Sequence, residues 1–343
     1  MEHQGPAALG KRQRLSAAGQ ASSRAFARLP PVSQPKLLLI GRNGQVGWEL
    51  ARTLAPLGRL ICLTREELDL TDLESVRRTV RQVGPDVIVN AAAYTRVDQA
   101  ECERELAFLV NARAPAVLAE IARQLGSLLI HYSTDYVFDG QSSAAYVEDS
   151  PPAPLNVYGE SKLAGEQAIQ ATGARYLILR TSWIYATHGR NFLLMVLRAA
   201  RDGRPLRIVN DQVGVPTWSR MIAEATAAIT AGRLKCDEAA DSDNNGIYHL
   251  CAAGQTSWFG FAVAILEECI RQLERRGADS RVYEKALASA SPITTPEYPT
   301  AAQRPAFSVL CPNKLRSRFR LALPPWREQL RLAVEEINVY QHL

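Results

Sequence analysis

A tyrosine and a lysine lie four residues apart in the run Tyr158-Gly-Glu-Ser-Lys162. Residues at positions i and i+4 share one face of a helix, so a helix here places the ammonium near the phenol. A positive charge about 4 Å from a phenol favours the phenolate by roughly 4 kcal/mol at an effective dielectric of 20, or about three pKa units. The pair therefore predicts a tyrosine that serves as an acid at neutral pH.

Two hydroxyl side chains precede this pair by one loop, in the run His131-Tyr-Ser133-Thr134-Asp135. The run closes a predicted strand, and the carboxyl ends of parallel strands meet at one edge of a sheet. Ser133 or Thr134 is therefore expected to face the same crevice as Tyr158. The alternative is that these hydroxyls only end the strand by bonding its backbone.

A glycine-rich turn follows the first predicted strand, in the run Gly41-Arg-Asn-Gly44-Gln45-Val46-Gly47. Glycine lets the backbone approach a pyrophosphate closely, and the helix that follows offers free N–H groups and a positive dipole end. The turn predicts a dinucleotide site. Tight packing of strand against helix is the alternative.

Two further strand ends carry signals for a nicotinamide cofactor. The second strand ends at Cys62-Leu-Thr64-Arg65, where NAD-binding proteins usually offer a carboxylate to the ribose. A guanidinium there favours NADP, although Arg65 also fits a solvated loop. The small side chains of the run from Asn90 to Thr95 leave room for a flat cofactor, or for ordinary close packing of helix on sheet.

Short apolar runs alternate with helical patterns from Lys36 onward. Strands are predicted at 37–40, 60–63, 86–90, 127–133 and 176–181, and helices at 45–57, 72–83, 158–171, 219–230 and 257–273, with a further helical stretch ending at Leu125. Thr71 and Glu74 stand at capping-box spacing before the second helix. The pattern predicts an α/β fold with a doubly wound parallel sheet (Rossmann) and a smaller carboxyl-terminal substrate lobe. We expect the cofactor domain over 36–182, and over 183–343 mainly a substrate lobe whose chain returns to the first domain.

Composition excludes several other classes of protein. The 343 residues are 47% hydrophobic and 22% charged, which is ordinary for a globular chain, and no apolar run reaches the roughly 20 residues of a spanning helix. Residues 1–35 hold five of the basic side chains and one acidic side chain, and they read as a disordered basic leader. The remainder is near neutral, with 35 basic and 34 acidic residues, so nucleic-acid binding has no electrostatic support. Six scattered cysteines form no zinc pattern and indicate a reducing compartment.

Taken in this order, the motifs resemble the dTDP-4-dehydrorhamnose reductases, a family of extended short-chain dehydrogenases/reductases. The resemblance covers about residues 36–335. It rests on the runs Gly41-x-x-Gly44-Gln-Val-Gly-Trp-Glu-Leu50, Asn90-Ala-Ala-Ala-Tyr-Thr95, Ser133-Thr-Asp-Tyr-Val-Phe-Asp-Gly140, Tyr158-Gly-Glu-Ser-Lys162, Arg180-Thr-Ser-Trp-Ile-Tyr185 and Asp211-Gln-Val-Gly-Val-Pro-Thr217.

The resemblance implies NADPH-dependent reduction of the C4 ketone of dTDP-4-dehydro-6-deoxy-L-mannose to dTDP-L-rhamnose, for cell-surface polysaccharides such as lipopolysaccharide. NADH is a second candidate donor. Matched by position, Tyr158 is expected to donate the proton, Lys162 to lower its pKa and hold the nicotinamide ribose, and Thr134 to orient the carbonyl. The resemblance assigns cofactor contacts to Gly41, Gly44, Gln45, Val46, Gly47, Thr64, Arg65, Asp69, Leu70, Ala93, Tyr94, Thr95 and Tyr132, and sugar-nucleotide contacts to Asp135, Trp183 and Arg304.

Three positions qualify that implication. Tyr136 replaces the glutamate that acts as base in related sugar-nucleotide dehydratases, so water elimination lacks its base. Phe307 departs from the family's Arg-Pro-x-Asn-Ser motif and puts local loop contacts in question. Some family members bind Mg²⁺ at a carboxylate-lined dimer contact; Glu49 matches one ligand, and a solvated glutamate on a helix face is the alternative.

Two other functions stay open on the sequence. The same fold serves as the non-catalytic regulatory β subunit of methionine adenosyltransferase, and fold alone does not separate a binding subunit from an enzyme. The other alternative hypothesis is a reductase or epimerase that acts on a different nucleotide sugar. In each case we expect the protein in the cytoplasm and not inserted in a membrane. The resemblance also allows a homodimer.

Overall fold

Six parallel strands form the central sheet of the computed structural model, which describes residues 34–234 and 244–337 besides Met1. They are β1 (Lys36–Ile40), β2 (Arg59–Leu63), β3 (Val87–Asn90), β4 (Leu128–Thr134), β5 (Arg175–Thr181) and β10 (Gly246–His249). Their order is β10-β5-β4-β3-β1-β2, and every neighbouring pair is parallel. The predicted doubly wound α/β fold is confirmed, while the leader predicted over 1–35 falls almost wholly outside the described residues.

Helices and short strands connect and flank this sheet. The helices are α1 (Gln45–Thr53), α2 (Leu73–Val83), α3 (Val97–Ala100), α4 (Arg104–Phe108), α5 (Ala114–Leu125), α6 (Val157–Ala171), α7 (Phe192–Arg201), α8 (Ser219–Arg233), α9 (Trp258–Arg275), α10 (Arg281–Ser289), α11 (Asn313–Phe319) and α12 (Trp326–Glu336). Short strands pair as β6 (Ile184–Tyr185) with β9 (Thr217–Trp218), β8 (Val213–Gly214) with β11 (Thr256–Ser257), and β7 (Arg207–Val209) with β12 (Ser291–Ile293).

Both faces of the sheet are buried, which explains why its strands are almost continuously apolar. Leu37 and Leu39 of β1 pack in one cluster with residues of α1 and α8, whereas Leu38 and Ile40 pack in another with residues of α2 and α5. A third cluster is built mainly from α7, α9 and α12. The described residues from Pro35 onward form one compact unit, and the division at residue 183 stays a prediction.

Two predicted helix ends are wrong for identifiable reasons. Asp72, not Thr71, caps α2, because its carboxylate accepts the N–H of Ser75 at 2.9 Å. The first helix ends at Thr53 rather than at Leu57, since Pro56 has no N–H to continue the ladder and the chain tightens into a 3₁₀ turn.

None of the helices in the described part of the chain is long and apolar enough to span a membrane.

Candidate active site

A cavity of about 990 Å³ lies at the carboxyl ends of the central strands. The strand order reverses between β1 and β3, and such a boundary is the usual ligand site of an open parallel sheet. Most of the predicted site residues line the cavity: Gly41, Gly44, Gln45, Val46, Thr64, Arg65, Asp69, Leu70, Ala93, Tyr94, Thr95, Tyr132, Thr134, Asp135, Tyr158, Lys162 and Trp183. Gly47, Glu49 and Arg304 do not line it.

The glycine turn between β1 and α1 depends on close backbone contacts. Gly41 has a φ of +89°, and a Cβ there would lie 2.6 Å from the N atom of Ala92. A Cβ on Gly47 would lie 2.0 Å from the carbonyl oxygen of Gly41. Gly47 therefore lets α1 reach the turn, rather than meeting a ligand itself.

Arg65 lies at the far end of this cavity, where its guanidinium is 3.8 Å from the Asp69 carboxylate. Its side chain is 74% exposed, so the ion pair leaves it accessible to a ligand. Both sequence interpretations of Arg65, a phosphate contact and a solvated loop charge, fit that position.

Tyr158 and Lys162 both line the cavity, as their shared helix face predicts, but they do not act on each other as expected. Burial raises the pKa of Tyr158 to about 12; the neighbouring Thr134 side chain opposes that rise and the Asp135 charge adds to it. Lys162 is not among the groups that shift this pKa. The reason is that its Nζ donates to the Tyr132 carbonyl oxygen, at 2.5 Å. In the protein alone the pKa of this phenol is raised and not lowered, and its acidification by Lys162 stays a prediction.

Lys162 itself is deeply buried, with 2% of its surface exposed. Burial lowers its pKa to about 8, and the carboxylate of Glu166, one turn further along α6, counteracts part of that shift. Glu166 is in turn held by Arg180 of β5 through two hydrogen bonds of 2.9 and 2.6 Å. The lysine thus titrates much closer to neutral pH than a solvated one.

Thr134 is the last residue of β4, Asp135 begins the 3₁₀ turn that follows, and both are buried. The Asp135 carboxylate accepts hydrogen bonds from Thr134 and Ser182, each at 3.1 Å, and a further one from Ser308. Burial nevertheless prevails and raises the pKa of Asp135 to about 6. Ser182 and Ser308 were not predicted, because both lie far from Asp135 in sequence and carry no local motif for such a role.

The Asp135→Asn variant is expected to be more stable than the native chain above pH 6. The folded-state pKa of Asp135 lies above its unfolded value, so the native chain loses stability as the pH rises from about 4 through about 6. A shift of about two units corresponds to about 3 kcal/mol at most. Urea unfolding at pH 4, 6 and 8 measures the difference, which should grow with pH.

Asp139→Asn is the matched control for this titration. A hydrogen bond from Tyr146 lowers the pKa of Asp139. Removing the Asp139 carboxylate should therefore lower the stability of the chain at neutral pH and leave it unchanged in acid, which is the opposite trend. A difference for Asp135→Asn that is the same at all three pH values would contradict the titration.

Trp183 forms the wall of the cavity together with Trp258, which the sequence analysis missed. The two indole rings are stacked, with centroids 3.6 Å apart and planes inclined by 4°. Trp183 has a φ of +44°, a region that residues with side chains rarely adopt. Gly214 permits this arrangement, since a Cβ there would lie 2.3 Å from the Trp183 ring.

Arg304 does not line the cavity, and it forms an ion pair with Asp98. Its guanidinium donates to both carboxylate oxygens of Asp98, at 3.1 and 2.8 Å. Phe307 pairs by a backbone bridge with Val213, and Ser308 beside it keeps its bond to Asp135. Phe307, which replaces the asparagine of the family motif, therefore does not disrupt these two contacts of the loop. The contact of Arg304 with the diphosphate stays a prediction.

Glu49 is buried rather than solvated, which corrects the alternative considered for it. Its carboxylate accepts a hydrogen bond from Arg220 at 3.2 Å, and His188 lies 3.9 Å away. Within residues 34–234 and 244–337, no group of three His, Cys, Asp or Glu side chains could hold a metal ion. The Mg²⁺ contact that the resemblance allows at Glu49 thus finds no ligand set among these residues.

Comparisons with known proteins agree with this geometry. A family model described as the RmlD substrate binding domain matches residues 35–339. A Burkholderia thailandensis protein named dTDP-4-dehydrorhamnose reductase is 46% identical over 302 residues, which cover 88% of this chain and 99% of that protein. An Escherichia coli K12 protein of the same name is 43% identical over 306 residues, covering 88% and 97%.

A solved structure is similar over the same span. It is a dTDP-4-dehydrorhamnose reductase of Bacillus anthracis in complex with NADP, 33% identical, with a TM-score of 0.75. The match covers 88% of this chain and 99% of that one.

Proposed function

Since this chain belongs to the family of the RmlD substrate binding domain, we propose that it is an NADPH-dependent reductase that converts the C4 ketone of dTDP-4-dehydro-6-deoxy-L-mannose to the alcohol of dTDP-L-rhamnose. The observation that carries the proposal is one cavity that holds both the glycine turn and the Thr134, Tyr158 and Lys162 side chains. A binding subunit needs the turn and can use Lys162 to hold a nicotinamide ribose, but it has no use for a proton donor at Tyr158 beside Thr134.

The residues at the turn fit a nicotinamide dinucleotide. Gly41 and Gly44 have no side chains, so the backbone beside the amino end of α1 is accessible to a ligand, and the side chains from Ala91 to Ala93 are small. Gln45 Oε1 and Ser133 Oγ are buried at this cavity and have no hydrogen-bond partner, so a polar ligand can satisfy them. When bound, NADPH supplies the hydride for the carbonyl carbon.

Tyr158 is the proton donor in this proposal. Its raised pKa keeps the phenol protonated at neutral pH, which is the state a donor needs. Thr134 lies next to the same phenol and lowers its pKa, while Lys162 would hold the nicotinamide ribose. The proton moves from Tyr158 to the substrate oxygen as negative charge develops on it, and the phenol then regains a proton from solvent.

Two observations weigh against neighbouring chemistries. Tyr136 lines the cavity where dehydratases carry a glutamate base, and burial raises its pKa, so it is no base at neutral pH. The Trp183–Trp258 wall leaves an apolar surface suited to the deoxy carbon of a 6-deoxy sugar. Both favour a ketone reductase for a deoxysugar.

The purified chain is expected to oxidise NADPH when dTDP-4-dehydro-6-deoxy-L-mannose is added, as followed by the loss of reduced-nicotinamide absorbance. The value of kcat/KM with NADPH should equal or exceed that with NADH, because the exposed Arg65 side chain is accessible to a 2′-phosphate. UDP-glucose and UDP-galactose are the control substrates, and they should give no net change in absorbance. Cofactor binding without turnover of the ketosugar would instead support the regulatory subunit.

A further inference from the structure

A buried chain of three polar side chains leads from β3 to the lysine of the site. The Nδ2 atom of Asn90 lies 3.2 Å from Nδ1 of His131, and Nε2 of His131 lies 3.2 Å from Nζ of Lys162. At most 2% of any of these three residues is exposed. The proposed function uses Lys162 but gives no role to Asn90 or His131.

The backbone fixes the direction of the hydrogen bonds in this chain. The N–H of Ala92 donates to Oδ1 of Asn90 at 3.2 Å, so the amide NH₂ of Asn90 points at His131. An NH₂ group can only donate, and Nδ1 of His131 must therefore accept. A neutral imidazole carries one proton, which then lies on Nε2 and faces Lys162.

That tautomer discriminates between the two protonation states of Lys162. A neutral amine has a lone pair that accepts the Nε2–H, whereas an ammonium has only donors and would place N–H against N–H. Burial and the Lys162 charge both keep His131 neutral by lowering its pKa well below the usual value. The ring thus stays a donor toward Lys162.

Other groups around Lys162 do not offset this preference. The titratable and charged groups packed nearby are His131, Tyr132 and Asp135 on β4 and the turn after it, Tyr158 and Glu166 on α6, and Arg180 on β5. Glu166 favours the ammonium, but Arg180 already neutralises it. Tyr132 offers only its carbonyl oxygen to Lys162.

We propose that His131, locked as its Nε2–H tautomer by Asn90, is a positioning residue that donates to the Lys162 amine and thereby sets how much of that lysine is protonated near neutral pH. The inference deepens the proposed function and rests on it for its catalytic consequence. The tautomer and the lysine titration do not depend on any reaction.

Two variants test separately how Asn90 sets the tautomer of His131 and how His131 affects Lys162. Asn90→Asp gives His131 an acceptor at Nδ1, so the ring proton moves to Nδ1 and Nε2 becomes an acceptor for the ammonium. His131→Leu removes the ring altogether. Asn90→Asp should raise the pH at which Lys162 titrates by about one unit or more, whereas His131→Leu should move it less, because the apolar side chain desolvates the ammonium while it removes the opposing N–H. His249→Leu, at a buried histidine outside the cavity lining, is the matched control and should leave that titration unchanged.

The ¹⁵N chemical shifts of the histidine rings report the tautomer in the chain without cofactor, and the lysine Cε shifts report the Lys162 titration. We expect an Nε2–H signal for His131 that becomes Nδ1–H in Asn90→Asp. In the reductase assay, the alkaline limb of the kcat/KM profile should move up with the Lys162 titration. An Nδ1–H tautomer in the native chain, or a Lys162 titration unmoved in both variants, overturns the proposal. Loss of the ketosugar reaction with these shifts intact would instead refute the proposed function.

Discussion

Replacing Tyr158 by phenylalanine is expected to lower kcat by about 10²–10⁴-fold, the usual contribution of a positioned proton donor. The phenol is partly exposed and its raised pKa keeps it protonated, so the Tyr158→Phe change removes a proton that the native chain holds ready at neutral pH. Cofactor affinity should change little, because the glycine turn and Lys162 remain. Steady-state assay of NADPH oxidation and titration of NADPH binding measure the two effects separately.

Tyr185→Phe makes the same chemical change elsewhere. Tyr185 is fully buried in the cluster that includes Phe261, lies outside the cavity lining, and its hydroxyl has no hydrogen-bond partner. This variant should keep kcat within about twofold and should be as stable as the native chain or more so. Equal losses in the two variants would show that Tyr158 acts through the fold and not as the donor.

Glu166→Ala is expected to destabilise the protein by about 3–5 kcal/mol, the largest effect on stability that the described ion pairs offer. Arg180 and Glu166 expose at most 2% of their surface, so the change leaves a guanidinium buried without its counter-charge. The Phe138 ring, 5.1 Å from the Arg180 Cζ, compensates only in part. Urea unfolding at neutral pH gives the difference in free energy.

The pair formed by Arg77 and Glu120 supplies the control. Its N–O distance of 2.7 Å is nearly that of the buried pair at 2.6 Å, but the Glu120 side chain is 46% exposed. Glu120→Ala should therefore cost less than about 1 kcal/mol. A similar small cost for Glu166→Ala would show that solvent reaches Arg180 and that burial does not govern this pair.

The parts of the site that the sequence predicted are those that local rules determine. Three glycines within seven residues, between a strand and a helix, specify the turn, and a spacing of four places Tyr158 and Lys162 on one side of α6. Repetition of strand and helix likewise predicted the parallel sheet. In each case the atoms that meet are near one another along the chain.

The parts that were wrong or missed depend on contacts between distant segments. Lys162 turns toward the Tyr132 carbonyl because β4 passes beneath α6, and spacing within α6 carries no information about that strand. Trp258 reaches Trp183 only because β8 and β11 pair. Ser308 reaches Asp135 from the carboxyl-terminal third of the chain. The periodicity of the sequence carries no information about contacts between residues that lie this far apart along the chain.

The late position of β10 and α8 in the chain bears on how the protein is made. A nascent chain that has emerged only as far as residue 182 holds β1 to β5, but the open edge of β5 still awaits β10, and the face later covered by α8 exposes the apolar side of the sheet. Such unpaired edges and bare faces are where partly synthesised chains associate wrongly. A chain synthesised from its amino end therefore keeps this face and this edge uncovered until residues 219–249 have been made.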